Sequence, residues 1–362
     1  MVEMPPHTVP TRYWRKLGSG RIECTLCPRL CHLKEGQRGL CFVRMNLGGE
    51  VVLTSYGLST GFCIDPIEKK PLHHFLPGTP VLSFGTAGCN LACRFCQNWD
   101  ISKSRETATL SAAASPEGLA ETAQRLGCRS VAYTYNDPVV FHEYALDVAR
   151  ECRKRDIRNV AVTAGYVCAE PRAEFYRWMD AVNVDLKAFT DRFYRSLTGA
   201  RLEPVLETLR HIRDETEVWL EITTLLIPGE NDSAEEIERL CRWVVDELGP
   251  DVPLHFSAFH PAWKMLETPP TPLSTLRMAH QIAREQGVRY PYTGNAHDLE
   301  GGRTLCHQCG AVLIARDGYR LLDWGLRDDG LCGQCGTRCA GHFEAGPGDW
   351  GSRRRPVQID QP

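Results

Sequence analysis

Through the middle of the chain, short apolar runs alternate with stretches of helical periodicity. The runs Val81 to Phe84, Ser130 to Tyr133, Asn159 to Val162, Ala181 to Leu186, Val218 to Thr223 and Pro253 to Phe256 read as strands. One helix is explicit: Ile237, Leu240, Cys241, Val244, Val245 and Leu248 recur at helical spacing after the Asn231-Asp232-Ser233 cap region, and Gly249-Pro250 stops the run. Ser115-Pro116 offers an N-cap and first-turn proline to a helix that Gly127 ends, and a further helix starts at Pro272 and ends near Gly287. Strands and helices in alternation predict an α/β fold around a parallel sheet. Six such strands predict a full or partial (β/α)6 barrel of the TIM type, with functional groups at the C-terminal strand ends. A doubly wound open sheet is the alternative, but Gly18-Ser19-Gly20 lies outside this region and precedes no clear helix, so no phosphate loop supports it.

Composition adds limits more than direction. With 43% hydrophobic and 24% charged residues among 362, the chain can bury a large core, and a net charge of −3 gives no pull toward nucleic acid or an anionic membrane. Arg353-Arg354-Arg355 reads as part of a solvated tail. No apolar run is long enough to span a bilayer and the first residues lack a secretory layout, so a cytoplasmic protein with reduced thiols is expected. That expectation gives the 17 cysteines their meaning. Cys63, Cys128, Cys152, Cys168 and Cys241 are isolated and read as small buried hydrophobes, with Cys339 a spare ligand. The other eleven fall into three groups.

The central group, Gly88-Cys89-Asn90-Leu91-Ala92-Cys93-Arg94-Phe95-Cys96-Gln97-Asn98-Trp99, directly follows the first strand. Three thiolates can hold three irons of a 4Fe-4S cubane and leave the fourth iron open, whereas an electron-transfer ferredoxin fills all four sites. The competing reading is a structural zinc completed by His73 or His74. The Cys-x3-Cys-x2-Cys spacing resembles closely the signature of the radical S-adenosylmethionine superfamily. That resemblance implies a methionyl group chelating the open iron and reductive cleavage to a 5′-deoxyadenosyl radical, which abstracts hydrogen from a substrate the sequence does not name.

Strand-end segments extend the likeness. Tyr133 to Pro138, Thr163-Ala164-Gly165-Tyr166, Asp185-Leu186-Lys187 and His260-Pro261 resemble, in order, the segments that bind S-adenosylmethionine in enzymes of the pyruvate formate-lyase activase type. On that resemblance Lys187 meets the methionyl carboxylate, Asp185 and Thr163 hydrogen-bond the amine or ribose, His260 approaches the adenosyl moiety, and Tyr133 and Asn136 join the cofactor-binding set. Asp185 and Lys187, two apart, share a strand face, which also allows a buried ion pair. Asn136-Asp137-Pro138 also reads as a helix N-cap turn. Asp137 stands where glutamate is expected, and Ala164 where asparagine is usual in activase relatives.

Farther afield, Asp65-Pro66-Ile67-Glu68-Lys69-Lys70-Pro71-Leu72, Cys24-Thr25-Leu26-Cys27-Pro28-Arg29-Leu30-Cys31, Gly36-Gln37-Arg38-Gly39-Leu40-Cys41 and Tyr292-Thr293-Gly294-Asn295 resemble the radical enzyme of the AmmeMemoRadiSam system. This implies Memo-like and AMMECR-like partners, besides a reductant such as flavodoxin or ferredoxin. Cys306-x2-Cys309 and Cys332-x2-Cys335, each followed by glycine, form a zinc-ribbon or rubredoxin-like pattern for zinc or iron. Cys24, Cys27, Cys31 and Cys41 hold either zinc, slightly favoured, or a second iron-sulfur cluster. The expected organisation is a Cys-rich segment over 1–50, a barrel over 51–300, a ribbon over 301–345 and a flexible tail over 346–362. Two other readings stand beside the enzyme: a glycyl-radical-enzyme activase, and a non-catalytic electron carrier or scaffold.

Overall fold

A computed structural model describes residues 4–103, 112–328 and 330–359. Its centre is a nine-stranded sheet built from β1 (Phe62–Pro66), β2 (Pro80–Phe84), β3 (Ser130–Tyr133), β4 (Arg158–Thr163), β5 (Ala181–Asp185), β6 (Trp219–Leu226), β7 (Leu254–Ala258), β8 (Pro291–Gly294) and β12 (Arg355–Val357). Strands β2 to β8 run parallel in sequence order; β1 pairs antiparallel with β2, and β12 antiparallel with β1. The sheet is open, with β8 and β12 at its edges. The six expected strands are all present because both faces of a parallel sheet are covered, so its strands read as unbroken apolar runs. All four residues of β3 are buried, as are the first four of β5.

Helices α1 (Pro116–Arg125), α2 (His142–Arg153), α3 (Ala169–Tyr176), α4 (Glu203–Glu215), α5 (Ala234–Trp243) and α6 (Leu273–Glu285) connect the strands. Their ends follow the sequence signals. Ser115 accepts a hydrogen bond from the Gly118 amide and Ser233 from the Glu236 amide. Gly127, Gly249 and Gly287 leave their helices at positive φ. Cys63, Cys128, Cys152 and Cys241 are buried, while Cys168 is half-buried.

The flanks are continuous with this body. Tyr13, Ile22, Leu26, Val43 and Leu53 share one apolar cluster with the strands of the open sheet, and the buried Arg44 guanidinium pairs with Glu143 of α2 at 2.5 Å. The C-terminal ribbon, β9 (Thr304–Leu305), β10 (Val312–Asp317) and β11 (Arg320–Trp324), seats on His74, Tyr290 and Tyr292, and its Arg316 donates to the His73 carbonyl at 2.7 Å. The segment after Gly346, expected to be a loose tail, is a correction. Gly348 packs so closely on Gly78 that a Cβ on either would sit 2.3 Å from the other's carbonyl oxygen, and β12 then completes the sheet edge. Pairing between residues so distant in sequence leaves no local signal. Among the described residues no helix is long and apolar enough to cross a membrane.

Candidate active site

Beyond Phe84 the chain turns into the cysteine loop under tight backbone constraint. A Cβ at Gly85 would lie 2.2 Å from the Thr134 carbonyl oxygen, and one at Gly88 (φ +83°) would lie 1.9 Å from that of Cys41. Only glycine allows both approaches. Asn136 clamps the loop: its Oδ1 accepts from the Thr86 amide at 3.0 Å and its Nδ2 donates to the Gly88 carbonyl at 2.7 Å. On the other side the amides of Ala92 and Arg94 donate to Thr198 and Leu197, each at 2.8 Å. Held this way, Cys89, Cys93 and Cys96 line one cavity of about 250 Å³, together with Thr163, Asp185 and Lys187.

Charge in that cavity is organised. Lys187 Nζ lies 2.9 Å from Asp185 Oδ2, and although burial works against the ammonium, Asp185 and the nearby Cys93 hold its pKa above the ordinary value. Burial pushes the Cys93 thiol up to about 12, so a metal must displace its proton on binding. Asp137 accepts from the Ala164 and Val139 amides at 2.9 and 3.0 Å and from Thr163 Oγ1 at 3.2 Å. It therefore knits the ends of β3 and β4 together.

A second chamber of about 850 Å³ shares Gln97, Asn98, Thr134, Tyr135, Thr223 and Ser257 with the first. Its wall carries a buried ionic group that sequence reasoning had used only as part of a family motif. Asp65 faces Lys69 at 2.9 Å, Lys70 at 2.7 Å and the Tyr135 hydroxyl at 2.9 Å. Burial lowers Lys70 to about 8 despite Asp65, while the two lysines hold Asp65 below the usual carboxylate range against its own burial. Behind His73 and His255 of the lining, the fully buried Glu221 accepts from His255 Nε2 at 2.7 Å, from the His73 and His74 amides at 3.0 and 2.8 Å, and from Trp219 Nε1 at 3.0 Å. Arg316 from the ribbon and Arg354 beside β12 also line the chamber.

Residues 84–244 match the Radical SAM superfamily. An uncharacterized protein of Methanocaldococcus jannaschii is 41% identical over 304 residues, covering 84% of this chain and 90% of its own. The chain belongs to the radical SAM superfamily. It is similar, at 33% identity over 110 residues, to the isethionate sulfite-lyase activating enzyme of Oleidesulfovibrio alaskensis, a match covering 29% of this chain and 35% of that one. A radical SAM methyltransferase of Sphaerobacter thermophilus superposes with a TM-score of 0.49 at 15% identity, over 84% of this chain and 81% of that one. The protein is thus a radical SAM enzyme, and the family implies a 4Fe-4S cluster and S-adenosylmethionine as its cofactors.

Around the thiol cavity the sequence-predicted residues separate. Thr163, Asp185 and Lys187 face the thiol cavity. Asn136 borders it but spends both ends of its amide on the cysteine loop. Tyr133 is a correction: fully buried, it donates to Asn159 Oδ1 at 2.8 Å and packs on Phe84, because strand alternation turns Thr134, not Tyr133, toward the cavity. His260 is another. It is exposed, with Nε2 3.1 Å from the Asn295 carbonyl, and lines neither chamber; Ser257, still on β7, lines both. Neither His73 nor His74 lines the thiol cavity, so the zinc reading of the triplet loses its fourth ligand.

The C-terminal quartet is built differently. Cys306 and Cys335 sulfurs stand 3.6 Å apart, Cys309 and Cys332 3.8 Å, and all four lie within 4.8 Å of one another. Four thiolates ~2.3 Å from one zinc would stand ~3.8 Å apart, so the set fits a single tetrahedral ion. Gly310 and Gly336, both at positive φ, close the two knuckles by donating amide hydrogen bonds to the Cys306 and Cys332 carbonyls. Cys339 stays outside, buried 3.8 Å from His74 Nδ1.

Proposed function

We propose that Cys89, Cys93 and Cys96 hold the 4Fe-4S cluster and that the enzyme abstracts hydrogen from a small molecule or peptide segment lodged in the larger chamber. The observation that carries this reading is the continuity of the two cavities. Three thiols and a lysine-aspartate pair face the first, and Thr134, Tyr135, Thr223 and Ser257 border both. The donor set fits: three thiolates take three irons and leave one open. When bound, cluster and S-adenosylmethionine together supply a 5′-deoxyadenosyl radical through one-electron cleavage of the sulfonium.

The chain's own residues orient and enclose. Lys187, kept charged by Asp185, pairs with the methionyl carboxylate, while Asp185 and Thr163 offer hydrogen bonds to the amine or ribose. Asn136 serves as a positioning residue for the cysteine loop. The ribbon and the β12 edge limit water at the chamber, which protects reactive intermediates. A flavodoxin or ferredoxin supplies the electron, in keeping with a cytoplasmic setting. Memo-like and AMMECR-like partners rest on the resemblance of the Asp65–Leu72 and N-terminal cysteine segments to the AmmeMemoRadiSam enzyme. The C-terminal quartet takes zinc, supported by its single-ion spacing.

The test is anaerobic: reconstitution with iron and sulfide, then S-adenosylmethionine and dithionite, with 5′-deoxyadenosine read by chromatography. Its formation, lost in Cys89→Ala/Cys93→Ala/Cys96→Ala, supports the reading; equal formation by that folded variant sinks it. A glycyl-radical-enzyme activase is the second reading, favoured by the 33% identity over 110 residues to a sulfite-lyase activating enzyme. Such an activase abstracts hydrogen only when a protein partner is added. Deuterium transfer into 5′-deoxyadenosine from a small molecule alone separates the two.

A further inference from the structure

The N-terminal cysteines occupy one cavity, yet they do not converge as the C-terminal ones do. Cys24, Cys27, Cys31 and Cys41 all line it. Among the described residues, however, only the ribbon quartet brings three or more potential ligand atoms within 4.8 Å of one another. One zinc ion asks its four thiolates to stand ~3.8 Å apart. The ribbon meets that demand, whereas no three sulfurs of the N-terminal quartet lie within 4.8 Å of one another, nor do those of Cys89, Cys93 and Cys96. Wider spacing around a shared void suits a cubane, in which each thiolate binds a different iron.

A second observation points to an anionic occupant. Arg44 lines the same cavity and is 1% exposed; its Nε donates to the Val140 carbonyl at 3.3 Å and its Nη2 to Glu143 at 2.5 Å, while Nη1 is buried with no partner. Arg29 also lines the cavity, with Nε 2.5 Å from the Asn90 carbonyl. The Arg44 guanidinium, whose charge acts on Cys24 and Cys41, matches the negative charge of a thiolate-ligated cluster, while Arg29 turns its own guanidinium to the Asn90 and Thr198 carbonyls. An unpaired buried donor is costly without such a partner.

We propose that Cys24, Cys27, Cys31 and Cys41 hold a second 4Fe-4S cluster, not zinc, and that it feeds electrons to the active-site cluster. The second half rests on the function proposed above. Contact makes the route direct: the Cys41 carbonyl fills the space where a Gly88 side chain would be, and Asn90, next to Cys89, lines the N-terminal cavity. A low-potential ferredoxin- or flavodoxin-type donor gives one electron to the N-terminal cluster, taking it from the 2+ to the 1+ state. The same electron then passes to the Cys89, Cys93, Cys96 cluster and the donor cluster returns to 2+; no bond or proton changes hands.

The deciding measurement counts acid-labile sulfide and metals in the reconstituted full chain. Sulfide is blind to a rubredoxin-type iron in the ribbon. Wild type is expected to carry about twice the sulfide of Cys89→Ala/Cys93→Ala/Cys96→Ala, and that variant to retain a cubane whose reduced state gives an electron paramagnetic resonance signal. Cys31→Ser should halve the wild-type sulfide. A folded triple variant with no sulfide and two zinc ions per chain overturns the proposal. If the triple variant does not fold, Cys31→Ser alone decides, since unchanged sulfide there also overturns it. For the electron route, wild type and Cys31→Ser are mixed with reduced ferredoxin and reduction of the active-site cluster is followed by rapid-freeze resonance spectra. At least tenfold slowing in Cys31→Ser is expected, and equal rates overturn the relay. A retained cubane in the triple variant stands even if no 5′-deoxyadenosine ever forms, so the two readings fail separately.

Discussion

The ribbon quartet and the cysteine loop show two ways for a chain to prepare for metal. In the ribbon, two glycine-closed knuckles converge until four sulfurs lie within 4.8 Å, and every ligand comes from the local fold. In the loop the three sulfurs stay apart, and their placement depends on remote groups: Asn136 after β3, Thr198 and Leu197 after β5, and the Cys41 backbone. Convergence suits a closed single-ion site; separation with borrowed support suits the open-iron cluster proposed for the loop.

The sharpest way to break this comparison is to remove each ligand set. The triple alanine variant of Cys89, Cys93 and Cys96 should lose 5′-deoxyadenosine formation by at least ~10³-fold, more than ~4 kcal/mol of barrier, while its circular dichroism stays native. Removing the ribbon's metal by Cys306→Ser and Cys332→Ser should instead be read first in stability. Zinc binding of this type is worth on the order of 10 kcal/mol to a small module, so the ribbon should unfold locally, with metal content falling by one ion and rapid hydrogen exchange over β9 to β11.

Acid probes the seam between ribbon and barrel. His74 is fully buried, with Nδ1 2.6 Å from the Ala340 carbonyl and Nε2 2.6 Å from the Tyr292 hydroxyl, and burial holds its pKa down to about 4 from an ordinary 6.5. Between these values the unfolded chain takes up a proton that the folded chain refuses. Stability from this group is therefore whole above pH 6.5, falls as the pH drops toward 4 and levels off below it, a loss of about 3 kcal/mol. Thermal melts across that range should show the decline, and His74→Gln should lessen it while His73, whose pKa burial also holds down, keeps part of it.

Asn136→Ala sharpens the borrowed-support half. It leaves the Thr86 amide and Gly88 carbonyl without their partners, costing about 1–3 kcal/mol, and should lower cluster occupancy and 5′-deoxyadenosine rate while leaving the ribbon's metal in place. Ser115→Ala serves as the far control. Loss of the α1 cap should cost about 1 kcal/mol in a melt and leave both metal counts unchanged.

Much of this was legible in the chain because it is local. The cysteine spacings and the β2 to β7 runs carry their signal within a few residues, and the caps at Ser115 and Ser233 fall where expected. What failed was orientation and distance. Which of Tyr133 and Thr134 faces the cavity depends on the pleat at the strand end, and His260 lies just past the point where β7 still points inward. Strand β8 is four residues long with little apolar content, and β1 and β12 are defined by antiparallel pairing, β1 with β2 and β12 with β1. The large chamber draws on segments near residues 60–73, 97–101, 293–302, 316–319 and 354–356, and no local pattern announces such a convergence.

The β12 edge also sets an order of construction. Roughly 260 residues separate Cys96 from Arg355, which is ~13–50 s of synthesis at about 5–20 residues per second. During that interval the cysteine loop is already outside the ribosome while the wall carrying Arg354 has yet to be made. The cysteine loop is thus complete before the last part of the neighbouring chamber's lining, Arg354 and Pro356, has been made.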